Sequence, residues 1–79
     1  MLDRIVGKKV IGIKQSTKAI KSGDGNVLYV AKDVDARLIN SLIDLAKQKN
    51  IKIVEVSTMK ELGKISGIQV NSSAVLTLE

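Results

Sequence analysis

The chain has no cysteine, histidine, proline, tryptophan or phenylalanine, and Tyr29 is its one aromatic residue. Without cysteine there is neither a disulfide framework nor a thiolate metal site. Without histidine, the usual zinc ligand and the usual general base near neutral pH are missing too. One tyrosine does not make a stacking platform. Any nucleic acid bound here must be met by charge, hydrogen bonds and small apolar contacts. Long apolar runs are also absent: nothing approaches the roughly 18 consecutive residues that a membrane-spanning helix needs. Met1-Leu2-Asp3-Arg4-Ile5 is too polar to open a signal peptide. These absences lead to the expectation of a soluble, cytoplasmic protein without membrane, metal, cofactor or small-molecule substrate.

What the chain does have is charge and aliphatic side chains. Its 79 residues, 44% of them hydrophobic, are read as one domain over residues 1–79. At that size a core buries only about 60–65% of the unfolded surface. Thirteen Lys and Arg stand against eight Asp and Glu, a formal charge of +5 and a sequence pI near 9.7. This balance suits a polyanionic partner. The positive charge is also arranged. In Gly12-Ile13-Lys14-Gln15-Ser16-Thr17-Lys18-Ala19-Ile20-Lys21-Ser22-Gly23, the lysines Lys14, Lys18 and Lys21 fall at i, i+4 and i+7, on one face of a short helix. Three like charges on a stripe repel by a few tenths of a kcal/mol per pair, which folding does not require. Gln15 between them can both donate to and accept from a base edge.

The periodicity predicts alternating strands and helices. Residues 2–7 suggest a short leading helix, and Lys8-Lys9-Val10-Ile11 a strand. A helix over 14–22 follows, with Ile13, Thr17 and Ile20 inward and Ala19 at the margin. Gly23-Asp24-Gly25-Asn26 reads as a turn, and Val27-Leu28-Tyr29-Val30-Ala31 as a central strand covered on both faces. Asp35 is placed to cap a helix over 36–49, whose Leu38, Ile39, Leu42, Ile43, Leu45 and Ala46 repeat at helical spacing. The alternating Ile51-Lys52-Ile53-Val54-Glu55-Val56 predicts a strand near the sheet edge, parallel to the central one. Thr58 and Glu61 match a capping box for a helix over 59–66, with Met59, Leu62 and Ile65 inward. Gly63 inside that helix points to close approach of another backbone. A loop over 68–71 and a last strand over 73–78 complete an α/β fold. The expected architecture is a three-layer α/β/α sandwich on a mixed, mostly four-stranded sheet.

Several motifs reduce to simpler readings. Gly7-Lys8-Lys9 lacks the spacing and the Ser/Thr of a phosphate-binding loop. Asp33 and Asp35 look like half of a magnesium site, but no further clustered carboxylate accompanies them, and cap and turn roles suit them better. Ser16, Ser22, Ser72 and Ser73 have no histidine to activate them, so the chain does not read as an enzyme. Ile68 and Val70, beside Gly67, are open to two readings: satellite core under the loop, or an apolar finger for an unstacked base.

Three stretches together carry a resemblance. They are Gly12 to Gly23, Val30-Ala31-Lys32-Asp33-Val34-Asp35, and Lys60-Glu61-Leu62-Gly63-Lys64-Ile65-Ser66-Gly67-Ile68. In order and spacing the chain resembles the kink-turn-binding ribosomal protein superfamily of L-seven-Ae and L-thirty-e, and in length its short bacterial members. The resemblance implies RNA as partner, in the form of a kink-turn whose tandem sheared G·A pairs lie beside a short bulge, with ribosomal RNA one candidate. It also implies that Gly12 permits close backbone approach while Lys14, Gln15 and Lys18 enter the widened groove. Asp35 would contact a guanine or order the lysine, and Ile39 would lie beside the flipped-out nucleotide. Ile68, Gln69 and Val70 would cover that nucleotide. Lys21, Lys32 and Lys64 would join Lys14 and Lys18 on the phosphates. One departure is chemical: family members of archaea and eukarya usually carry Asn-Glu where this chain has Lys14-Gln15. Glu accepts from a guanine amino group as an anion and Gln as a neutral dipole, and the charge-assisted bond is roughly twice as strong. The expectation is therefore a monomeric kink-turn RNA binder. The rival is a small α/β protein-interaction module that uses its lysines as a basic patch.

Overall fold

Val27-Leu28-Tyr29-Val30-Ala31 forms the strand on which both faces of the molecule are built. A computed structural model describes residues 7–68 and 70–78. In chain order the elements are β1 (Lys9–Ile11), α1 (Ile13–Lys21), β2 (Val27–Ala31), α2 (Ala36–Gln48), β3 (Lys52–Val56), α3 (Met59–Ile65) and β4 (Ala74–Thr77). From the first strand onward, each predicted element is present within a residue or two of its predicted ends. The leading helix expected over 2–7 falls, Gly7 apart, outside the described residues, as does Gln69.

The four strands lie in the order β1-β4-β2-β3. β2 and β3 are parallel, pairing Val27 with Lys52 through Ala31 with Val56. β4 is antiparallel to both of its neighbours, β1 and β2. The sheet is therefore mixed, and β3 lies at its edge as its alternating pattern predicted. The place of β4 has no local signature: four residues near the chain end sit in the middle of the sheet, and all four are buried.

Period-two alternation sorts β2 onto two cores. Leu28 and Val30 face α1 and α2, joining Ile20, Ile39, Leu42, Ala46, Ala74 and Leu76. Ala31 packs on the other side with Val56, Leu62, Ile65 and Val75, below α3. Two helices on one face and one on the other make the α/β/α sandwich. Leu42 and Leu62 are fully buried, each worth about 1.5–3 kcal/mol relative to exposure.

Two inward assignments change. Leu38, expected inside α2, is 62% exposed. It stands about 100° around the helix from its buried neighbour Ile39, at the margin of the inward face formed by Ile39, Leu42 and Ala46. In α1, Ser16 joins Ile20 as a buried residue, whereas Thr17 is half-buried and turns its hydroxyl back to the Ile13 carbonyl at 2.8 Å. Gly63 meets the expectation of close approach. A Cβ built there would lie against the carbonyl oxygen of Val70, and 3.3 Å from the Asn71 Cα.

Candidate nucleic-acid interface

Because β1 and β2 are both antiparallel to β4, they run the same way, and β3 runs with them. The starts of α1, α2 and α3, each following one of these strands, consequently gather at one end of the sheet. Residues 72–74 stitch that end together. The Ser72 amide donates to the Met59 carbonyl at 3.0 Å, the Ala31 amide to Ser73 at 3.1 Å and the Gly12 amide to Ala74 at 2.8 Å. Ligands of open α/β sheets bind in the crevice outside such carboxyl ends.

The three helix starts differ in how their free amides are used. Asp35 caps α2: its Oδ1 accepts from the Arg37 amide at 2.9 Å. Two acceptors serve α3, Thr58 Oγ1 for the Glu61 amide at 3.0 Å and Asp33 Oδ1 for the Met59 amide at 2.8 Å. The capping box is thus half its expected form, with Asp33 as the second acceptor, and this settles Asp33 and Asp35 as caps. At α1 there is no side-chain cap and no acid in the first turn. Its leading amides and the positive end of its dipole are left open to an anion or a base acceptor. Gly12, at φ 99, takes a conformation that L side chains rarely adopt, and a Cβ there would meet nothing within 4 Å. The space in front of this backbone is open.

Around that opening, Lys14, Gln15, Lys18 and Lys32 are all exposed. Lys21 closes α1, about 10 Å along the axis from Lys14, so the stripe runs away from the opening. Asp35 holds Arg37 twice more, Oδ2 accepting from a terminal guanidinium nitrogen at 2.9 Å and Oδ1 from Nε at 3.3 Å. These bonds, the side-chain one foremost, hold the Asp35 carboxyl below its ordinary range. The side chain that Asp35 orders is thus Arg37, where a lysine was expected. On the α3 flank, Lys60, Lys64, Ile68, Val70 and Asn71 line a hollow of about 250 Å³. Val70 is 69% exposed and Ile68 half-buried, so of the two readings of this loop, Val70 takes that of an exposed apolar tip. Ile39 needs correction. At 6% exposure it belongs to the core under α1 and α2 and offers almost no surface to a nucleotide. Arg37, Leu38 and Lys60 lie on these surfaces without having been singled out in the sequence. Helical periodicity assigns Leu38 to the core; its place at the margin of the inward face of α2 makes it surface.

The profile of the Ribosomal protein L7Ae/L30e/S12e/Gadd45 family matches residues 3–79. The chain belongs to this family. Its relatives include the RNA-binding protein YbxF of Geobacillus stearothermophilus, 40% identical over 72 residues that cover 91% of this chain and 88% of YbxF. The large ribosomal subunit protein eL8 of Halobacterium salinarum is 38% identical over 72 residues, covering 90% of this chain but only 60% of eL8. A solved structure of a protein of unknown function from Bacillus halodurans C superposes with a TM-score of 0.81 over 90% of this chain and 71% of that one, at 18% identity. That likeness is one of fold. Among the described residues, no helix is long and apolar enough to cross a membrane, and no cluster of three metal-ligating side chains occurs.

Proposed function

We propose that this protein binds RNA through the end of the sheet where its helices begin, and that it recognises kink-turn or kink-turn-like RNA. The observation that carries the reading is the uncapped start of α1, with open space in front of Gly12 and exposed Lys14 and Gln15 beside it. Family membership and RNA-binding relatives support it. Lys14, Lys18, Lys32 and Lys64 hold phosphates, with Lys21 at the far end of the same stripe. Gln15 reads the edges of the sheared G·A pairs, and Asp35 presents Arg37. Ile68, Gln69 and Val70 cover the bulged nucleotide, assisted by Leu38. The protein acts in the cytoplasm as a monomer and without catalysis. Phosphate contacts supply salt-sensitive affinity, whereas base edges and RNA shape supply choice.

Calorimetric titration tests this. The protein is titrated with a kink-turn duplex and with the same duplex carrying Watson–Crick pairs in place of its sheared G·A pairs, at one salt concentration. At least about tenfold weaker binding to the second, about 1.4 kcal/mol, is expected. Equal affinity would reduce the interface to a lysine patch without a code. Failure of both would return the protein to the partner-docking reading.

A further inference from the structure

The opposite end of the sheet is also basic, and of the proposed kink-turn contact only Lys21, the last residue of α1, reaches it. There β1, β2 and β3 begin and α1 and α2 finish. Lys9, Thr77, Val27 and Lys52 form one row across all four strands, which sets Lys9 and Lys52 roughly 14 Å apart at three strand spacings. Lys8 is tied to the same end by its carbonyl, which accepts from the Leu78 amide at 2.9 Å. Lys49 lines a small hollow with Gly23, Asp24 and Ile51, and Lys47 stands in the last turn of α2. Of the five lysines Lys9 is half-buried and the others are exposed. The only ion pair among the described residues joins Arg37 to Asp35, at the other end.

Helix dipoles do not account for this cluster. The C-termini of α1 and α2 bring about one negative elementary charge together, Asp24 adds another, and Asp44 and Glu55 share a hollow with Lys47; against these stand the five lysines and Lys21 at the end of α1, an excess of roughly two positive charges. Lys8, Lys9 and Lys52 are not on helices at all. β2 alone puts about 17 Å between the two ends.

We infer that this second pole binds the phosphate backbone of another RNA segment, making the protein a bridge between two RNA helices. The ligand is duplex backbone, held chiefly by the charge of these lysines. The inference goes beyond the kink-turn reading and does not need it.

The protein, saturated with kink-turn RNA, is titrated with a labelled, fully paired RNA duplex and followed by native electrophoresis and sedimentation. A ternary complex is expected. The variant Lys47→Gln/Lys49→Gln/Lys52→Gln should hold the kink-turn RNA unchanged, which also reports that it is folded, and lose the duplex at least tenfold. The salt slope for duplex binding should fall by roughly one unit per lysine removed. In free protein carrying Lys14→Gln and Lys18→Gln, duplex binding that the three further substitutions abolish isolates this pole, so the test stands even where kink-turn recognition fails. No ternary complex with the unmodified protein, or undiminished capture by the variant, overturns the bridge. Displacement of the duplex by polyglutamate at equal charge overturns RNA as the partner in favour of an acidic protein surface.

Discussion

Three side chains show how much a single residue decides here. Gln15 is exposed beside lysines that supply charge without choice, so Gln15→Ala should erode discrimination between sheared G·A pairs and the Watson–Crick pairs that replace them more than it erodes affinity for RNA in general. Equal losses on both RNAs in paired titrations would remove Gln15 from the readout. Ser16 is fully buried with its hydroxyl unpartnered among the described residues. Leaving a buried hydroxyl unpaired costs about 1–3 kcal/mol, so Ser16→Ala is expected to raise stability by about 1 kcal/mol in urea denaturation; a decrease would reveal a partner for that hydroxyl. Asp35 carries a pH dependence. Its carboxyl sits below the ordinary value of about 3.9 because Arg37 hydrogen-bonds the ionised form. Its stabilising contribution is complete above that ordinary value and is lost as the pH falls through the lowered one. In Arg37→Ala the Asp35 midpoint, followed by carboxyl-carbon NMR, should move up; an unmoved midpoint would make the backbone cap its whole cause.

At the scale of elements, α3 and the loop behind it behave as one piece. Gly→Ala in an ordinary helix gains about 1 kcal/mol, but at Gly63 the new methyl meets the Val70 carbonyl oxygen, part of the backbone itself. Overpacking costs typically about 1–3 kcal/mol, so Gly63→Ala should lower the urea midpoint by a corresponding amount with an unchanged m-value, and displace exposed Val70. A raised midpoint would mean that the loop yields freely. This contact was legible in the sequence because a glycine inside a helix has few other reasons. The helices and strands were legible for a similar reason: apolar spacing and caps such as Asp35 and Thr58 are local signals. What depended on distant parts of the chain was not. Leu38 obeys the α2 pattern and is nevertheless outside, because the buried face is centred on Ile39, Leu42 and Ala46 and leaves Leu38 at its margin. Ile39 inherited a surface role by resemblance and sits in the core. Of the α1 interface, the lysine stripe and the glycine could be read directly. The missing cap could not, since it shows only against the two helices that have one.

The whole molecule is two charged ends held apart by one sheet, and that sheet closes late. Lys9 pairs with Thr77 and Val27 pairs with the same residue, so neither β1 nor β2 has its central neighbour until residues 74–77 are present. Such non-local pairing slows folding. It also gives synthesis a particular order. At about 5–20 residues per second, a ribosome has delivered every helix and three strands while the row Leu28–Leu76–Val10 still lacks its middle member. The growing chain then carries an unpaired β2 edge, and its basic segments are exposed in a compartment rich in RNA. Arrested nascent chains that stop before Ala74 should therefore remain open to protease, and those with residues 74–77 clear of the exit tunnel should become resistant in a single step. Protection already present at Ile65 would show that β1, β2 and β3 close without β4. A protein that must wait for its last strand spends its unfinished seconds beside the kind of polymer it is proposed to bind, so its first encounter with RNA comes before it has a fold with which to choose.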